Sequence, residues 1–299
     1  MSIATEHQPS RSEFLDIRGI RYHLRHWGQE GAPKLFMMHG WMDVSASFQF
    51  VVDHLQHDWH VIAADWRGFG LSKAPATDCY WFPDYLADLD AILQHYSPDE
   101  PVNLLGHSMG ANVVTMYAGS RPERVRKLID LEGFGLPSTT PEQAPKRYRR
   151  WMDEIRTPMG MKTYATLQEV AQRLQKTNPR LSNDKAAFLA QHWAEQGADG
   201  QWAILGDPAH KRVSPILFHT DEMLACWQAV TAPVMWAEAE DTNVWEWMGA
   251  KEQARPEIER RLSAFNNLEK HFLTDAGHML HHDQPEQVAA LIEEFCLQR

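Results

Sequence analysis

Positive charge is in short supply in this 299-residue chain: 29 lysines and arginines stand against 40 aspartates and glutamates, a formal net charge of −11. A nucleic-acid partner needs a basic face to neutralise phosphates, which argues against that class. No basic amphipathic segment is present that would favour an anionic membrane surface. Cysteine is equally sparse. Cys79, Cys226 and Cys296 are odd in number and widely spaced, a poor disulfide framework that suits a reducing compartment. The opening residues MSIATEHQPS lack the basic start and apolar run of a secretion signal, and no stretch approaches the roughly 18 apolar residues of a membrane span. The expectation is a cytoplasmic globular protein with no nucleic-acid and no membrane partner.

What the chain does contain is apolar runs of strand length. With 43% hydrophobic residues it can form one large domain, or one domain carrying an insertion. Residues 14–17 and 20–27 read as a strand pair turning at Gly19. LFMMHG (35–40), HVIAADWRG (60–68) and VNLLGHS (102–108) are continuous apolar runs stopped by turn residues. That pattern suits strands buried on both faces, as in a parallel sheet. Helical periodicity lies between them, for example over residues 84–95, and residues 125–134 are a further strand.

From 136 to 229 the rhythm breaks into helical patterns punctuated by prolines, with no strand signal. Alternation then resumes with a strand at 233–239, a helix at 256–265, a strand at 268–273 and a helix from Pro285 to Leu297. The pattern implies the α/β class, with a mostly parallel central sheet flanked by helices. Residues 1–135 and 230–299 form the core, and 136–229 a helical insertion after the sixth strand.

Gly106-His107-Ser108-Met109-Gly110 follows an apolar strand and precedes a helical pattern. A serine in this G-x-S-x-G context sits on a sharp strand-to-helix turn, with glycines where side chains would clash. Its hydroxyl then projects at the carboxyl end of the sheet, against the positive end of the helix. A hydroxyl needs a base to become a nucleophile near neutrality. Among 16 histidines, His278 is singled out by its place in DAGHMLHHDQPE, after the last strand and before the final helix. The neighbouring His281, His282 and Asp283 could suggest a metal, but Gly277 and Pro285 bracket a loop, so no metal is expected there. The base needs an acid to fix its tautomer, and three strand-end residues compete: Asp241, Glu132 and Glu240. The oxyanion of a tetrahedral intermediate needs donors already in place, and the backbone N–H groups of Trp41, after His39-Gly40, and of Met109 are placed for that.

Four blocks together, HGW (39–41), DWRGFGLS (65–72), GHSMG (106–110) and GHMLHHDQPE (277–286), resemble the α/β-hydrolase family, in its lidded branch with a serine nucleophile. The resemblance covers the core, while 136–229 corresponds to the variable lid. It implies Ser108 as nucleophile, His278 as base and Trp41 and Met109 as oxyanion donors. Serine at 108 argues against the epoxide hydrolases and haloalkane dehalogenases of the branch, which use aspartate there. The commoner supply point for the acid, after the strand that follows the lid, implies Asp241. The chain reads Ala237-Glu238-Ala239-Glu240-Asp241 where the family often shows G-x-x-D, and Glu132 falls where some dehalogenases keep their acid. Trp151, Trp193, Trp202 and Trp227 in the lid imply an apolar or aromatic acyl substrate. The expected activity is ester or related acyl hydrolysis, with no cofactor. Carbon–carbon bond hydrolysis or lyase chemistry on the same scaffold and a low-turnover ligand receptor are the alternatives.

Overall fold

In the computed structural model, which describes residues 7–298, strands β1 (Ser10–Ile17) and β2 (Ile20–Trp27) pair antiparallel. Arg18 and Gly19 join them, both at positive φ (51° and 77°), the backbone of a two-residue turn that matches the twist of its strands. The apolar runs become β3 (Lys34–Met38), β4 (His60–Ala64), β5 (Val102–His107) and β6 (Val125–Leu131). After the insertion come β10 (Val234–Ala239) and β11 (Leu268–Leu273), and the eight strands form one sheet in the order β1-β2-β4-β3-β5-β6-β10-β11. From β4 onward every pair is parallel.

The doubly apolar strands divide their side chains between two layers. Phe36, Ile62, Leu104 and Leu128 face one core, with Val113 and Tyr117 of helix α3 (Met109–Ser120) and Leu89 of α2 (Phe82–Tyr96). Leu35, Val61, Leu105 and Ile129 face the other. There Val51 and Val52 of α1 (Gln49–Val52) and Ile292 and Phe295 of α11 (Pro285–Leu297) close it. Each such fully buried side chain contributes about 1.5–3 kcal/mol.

Between β6 and β10 lie α4 (Ala144–Arg156), α5 (Leu167–Thr177), α6 (Asn183–Trp193) and α7 (Thr220–Gln228). Leu167, Val170, Ala171 and Leu174 line one side of α5 and meet Leu189 and Ala190 of α6 in a small separate core. Thr166 and Ser182 accept hydrogen bonds from the first turns of these two helices, which is why each begins where it does.

Two expectations are corrected here. The insertion is not purely helical: β7 (Thr163–Tyr164), β8 (Ala194–Gln196) and β9 (Trp202–Ile204) form a three-stranded sheet. These strands are too short for an alternating pattern to stand out. Helix α7 belongs to the main core rather than to the insertion, since Trp227 is fully buried there and stacks on Phe265 at 4.6 Å. After β10, α8 (Trp245–Met248) and α9 (Lys251–Leu262) follow. The latter begins five residues before Pro256 and carries that proline inside it. A four-residue helix, α10 (Leu280–Asp283), occupies what reads as loop after His278.

Candidate active site

Ser108 stands between β5 and α3 at φ 52° and ψ −114°, a conformation that side chains rarely adopt. The surrounding glycines explain how it is held. A Cβ on Gly110 would fall 2.1 Å from the Met38 carbonyl oxygen, and one on Gly106 would fall 2.4–2.5 Å from the backbone of Gly110 and Ala111. The elbow is thus wedged between β3 and its own helix, and strain at residue 108 is fixed by packing on both sides.

The loop after β3 closes over the serine in the same way. A Cβ on Gly40 would sit 3.2 Å from Ser108 Cβ and 2.9 Å from His107 Nδ1. Among the described residues, neither the Trp41 nor the Met109 amide has a hydrogen-bond acceptor. His39 serves as a brace. Its Nδ1–H donates to the Gly40 carbonyl at 2.7 Å, its Nε2 accepts the Trp66 N–H at 2.9 Å, and burial pushes its pKa below the usual imidazole value.

His278 faces Ser108. Its Nε2 lies 2.9 Å from Ser108 Oγ, and its Nδ1 lies 3.0 Å from Glu132 Oε2. The partners assign the tautomer: Nδ1–H donates to the carboxylate and Nε2 accepts the serine proton. Glu132 is 2% exposed and also accepts the Ala239 N–H at 2.6 Å and the Thr242 hydroxyl. It too has a positive φ, 60°, which turns its side chain back from the end of β6 towards the histidine.

Asp241, expected as the acid, is elsewhere. Its side chain is 54% exposed and pairs with Arg180 Nη2 at 2.5 Å, so it points away from the imidazole. Glu240 accepts the Asp275 N–H at 3.1 Å and is not at the histidine either. The loop after β10 does reach the site, through the Ala239 amide and the Thr242 hydroxyl, but it brings donors to Glu132 rather than a second carboxylate.

Several contributors escaped sequence reasoning. His107 donates from Nε2 to the His278 carbonyl at 2.8 Å, tying the histidine loop to the nucleophile strand. Trp247 sets its ring edge-to-face on His278 at 5.3 Å while remaining 55% exposed. On the far side, Asn178 donates to Asp283 at 2.7 Å, and Lys185 Nζ donates to the His282 carbonyl at 2.5 Å. Helices α5 and α6, with the turn joining them, therefore hold the loop that carries His278. Nothing in a single sequence marks such long-range partners. Beneath the site, Asp43, His107 and His281 bring metal-type donor atoms within 4.8 Å of one another. The Asp43 carboxylate there already accepts the Ser47 hydroxyl at 2.8 Å and the Trp193 indole N–H at 3.1 Å.

Comparison with known proteins places the fold. The profile of the alpha/beta hydrolase fold family matches residues 33–285. A serine hydrolase-like protein of Danio rerio is 27% identical over 90% of this chain and 83% of its own length. A serine hydrolase-like protein of Dictyostelium discoideum is 25% identical over 93% and 79%. Among solved structures, a thioesterase domain from the curacin biosynthetic pathway superposes with a TM-score of 0.81 at 23% identity, covering 95% of this chain and 99% of that one.

Proposed function

Because the chain belongs to the α/β-hydrolase fold family, we propose that it is a serine hydrolase acting on an ester or related acyl substrate through an acyl-enzyme intermediate. The observation that carries this reading is the unbroken line from Ser108 Oγ to His278 Nε2 (2.9 Å) and from His278 Nδ1 to Glu132 Oε2 (3.0 Å).

Ser108 Oγ attacks the acyl carbonyl carbon while its proton passes to His278 Nε2. Glu132, held by three donors, stabilises the imidazolium that results. The carbonyl oxygen, now negative, takes the free N–H groups of Trp41 and Met109, and each such donor is worth about 3 kcal/mol. Collapse of the tetrahedral adduct breaks the bond to the leaving oxygen, which receives the proton from His278. Water then attacks the acyl group with His278 as base, releasing the acid and restoring Ser108. No cofactor enters the scheme.

The insertion serves as the lid of this reading. Met161 of the insertion lies beside Met42 of the loop after β3, both methyls 3.3 Å from where a Cβ on Gly206 would be. Trp41 and Trp247 are each more than half exposed, one next to Gly40 and one against His278. Thioether and indole walls favour an apolar or aromatic acyl group over a charged one. The three unpaired cysteines suit a reducing compartment, and a cytoplasmic location is part of the proposal.

The test is turnover of p-nitrophenyl butyrate, together with mass detection of a fluorophosphonate adduct. Wild-type protein hydrolyses the ester and gains one phosphonyl group, and Ser108→Ala loses both properties. A folded wild-type protein inert to short-chain esters and to the probe would end this reading.

A further inference from the structure

His278 rides on a loop that bends sharply just before it. Asp275 has a φ of 53°, a conformation that persists only where the surroundings fix it. The residues that follow are tied down one after another. The Ala276 carbonyl accepts the Asp241 N–H at 2.9 Å, the Gly277 N–H donates to Asp283 Oδ2 at 2.8 Å, and the His278 carbonyl accepts from His107 Nε2 at 2.8 Å. Asp241 and His107 belong to the core. The bond on Gly277, directly before the base, depends on the insertion.

That dependence runs through Asp283. Among the described residues it has no ion pair, and its side chain is held by the Gly277 N–H on Oδ2 and by Asn178 Nδ2 on Oδ1 at 2.7 Å. Asn178 ends α5, is 9% exposed and accepts the Arg180 N–H on its own Oδ1 at 3.1 Å. The Arg180 bond assigns the amide, with its oxygen towards that N–H and its NH2 towards Asp283. Donors to an ionised carboxylate make short and strong hydrogen bonds. A residue of the insertion is thus linked, through one carboxylate, to the backbone beside the histidine.

We propose that Asn178 is a positioning residue for the hydrolytic reaction: acting through Asp283, it fixes Gly277 and so keeps His278 Nε2 in line with Ser108 Oγ. This rests on the serine-hydrolase reading above. It makes the α5–α6 part of the insertion a fixed support of the base as well as a cover for substrate. Asn178 bonds to neither Ser108 nor His278, so its loss acts through the placement of the imidazole. Misplacing a reacting group by about 1 Å costs on the order of a hundredfold in rate. Loosening one tie among several costs less, so kcat falls about tenfold while KM stays within about twofold.

The experiment is a double-mutant cycle of Asn178→Ala and Asp283→Asn in the full chain. It is read as kcat and KM for p-nitrophenyl butyrate and as the rate of fluorophosphonate labelling. An amide at position 283 has a single oxygen to offer two N–H donors, so Asp283→Asn breaks the same link from its other end. Each single variant lowers kcat and the labelling rate about tenfold, and the double variant is no slower than the slower single one. Asn178→Gln keeps the amide, recovers part of the loss and replaces Asn178→Ala in the cycle should that variant not fold. Unchanged kcat in the Asn178 variants, a loss confined to KM, or losses that multiply in the double variant would each overturn the proposal while leaving the hydrolytic reading intact. A wild-type protein inert to ester and probe defeats the hydrolytic reading, and this inference with it.

Discussion

Glu132→Gln separates the acid that touches His278 from Asp241, which does not. The substitution keeps length and shape but replaces one carboxylate oxygen by an NH2 group. The Ala239 N–H, at 2.6 Å from Oε1, retains an acceptor if the amide oxygen stays there. The NH2 then faces His278 Nδ1 and the Thr242 hydroxyl, both of which now donate to Oε2. To accept from an amide, Nδ1 must give up its proton, which moves to Nε2 and confronts Ser108 Oγ with a donor instead of a base. A tautomer reversal of this kind in a serine triad costs about four orders of magnitude in kcat, or about 5.5 kcal/mol of transition-state stabilisation. Initial rates on p-nitrophenyl butyrate should therefore fall by about 10³–10⁴ with KM little changed, while circular dichroism shows a folded protein. Asp241→Asn, altering an exposed ion pair, should stay within about threefold of wild type. A folded Glu132→Gln variant keeping more than about a tenth of the activity, or an Asp241→Asn variant that collapses, would refute the assignment.

Gly110→Ala places a methyl group 2.1 Å from the Met38 carbonyl and should lower stability by about 1–3 kcal/mol in urea unfolding, with activity falling as the elbow shifts. Trp193→Phe removes the indole N–H that Asp43 accepts at 3.1 Å and should cost about 1.5–3 kcal/mol, read from the same unfolding curves. Asp130→Asn should change stability with a pH signature. Burial, and then the Glu132 charge, raise the Asp130 pKa well above the usual carboxylate value, so between the unfolded and folded values the unfolded chain releases a proton that the folded protein keeps. The wild type then loses stability as pH rises through that window, and the variant, which has no such proton, should gain on it steadily from pH 4 upward. A constant difference across the range would show that Asp130 is ionised in the folded protein.

The sheet was legible because its strands are buried on both faces, and continuous apolar runs ending in Gly or Asp are hard to read otherwise. Ser108 was legible because its neighbours are constrained. The close approaches at Gly106 and Gly110 leave no room for a Cβ, so the glycines are the trace of the geometry in the sequence. His278 was legible from position alone. The acid was not. Glu132, Glu240 and Asp241 all end strands, and which one faces the imidazole depends on a single backbone rotation at residue 132 and on an arginine 61 residues before Asp241. Glu-Gly directly after an apolar strand was the available signal, because the 60° φ of Glu132 lets the chain turn there. The short strands of the insertion were hidden for a different reason: two or three residues carry no period.

Two carboxylates end β6, Asp130 fully buried within it and Glu132 just beyond it, and the protein cannot cheaply ionise both in so apolar a place. The donors decide which one carries the charge. Asp130 has one, the Gly133 N–H at 2.6 Å, and its other oxygen is without a partner among the described residues. Glu132 has three, from Ala239, Thr242 and His278. Burial with a single hydrogen bond favours the neutral acid, so Asp130 keeps its proton well above the usual carboxylate range. In the proposed mechanism a neutral Asp130 adds no second charge that would pull the imidazolium of His278 out of line with Ser108. Asp241 does not play the part of Glu132, because its carboxylate is half exposed and bonded to Arg180, so that water and the guanidinium screen most of its field.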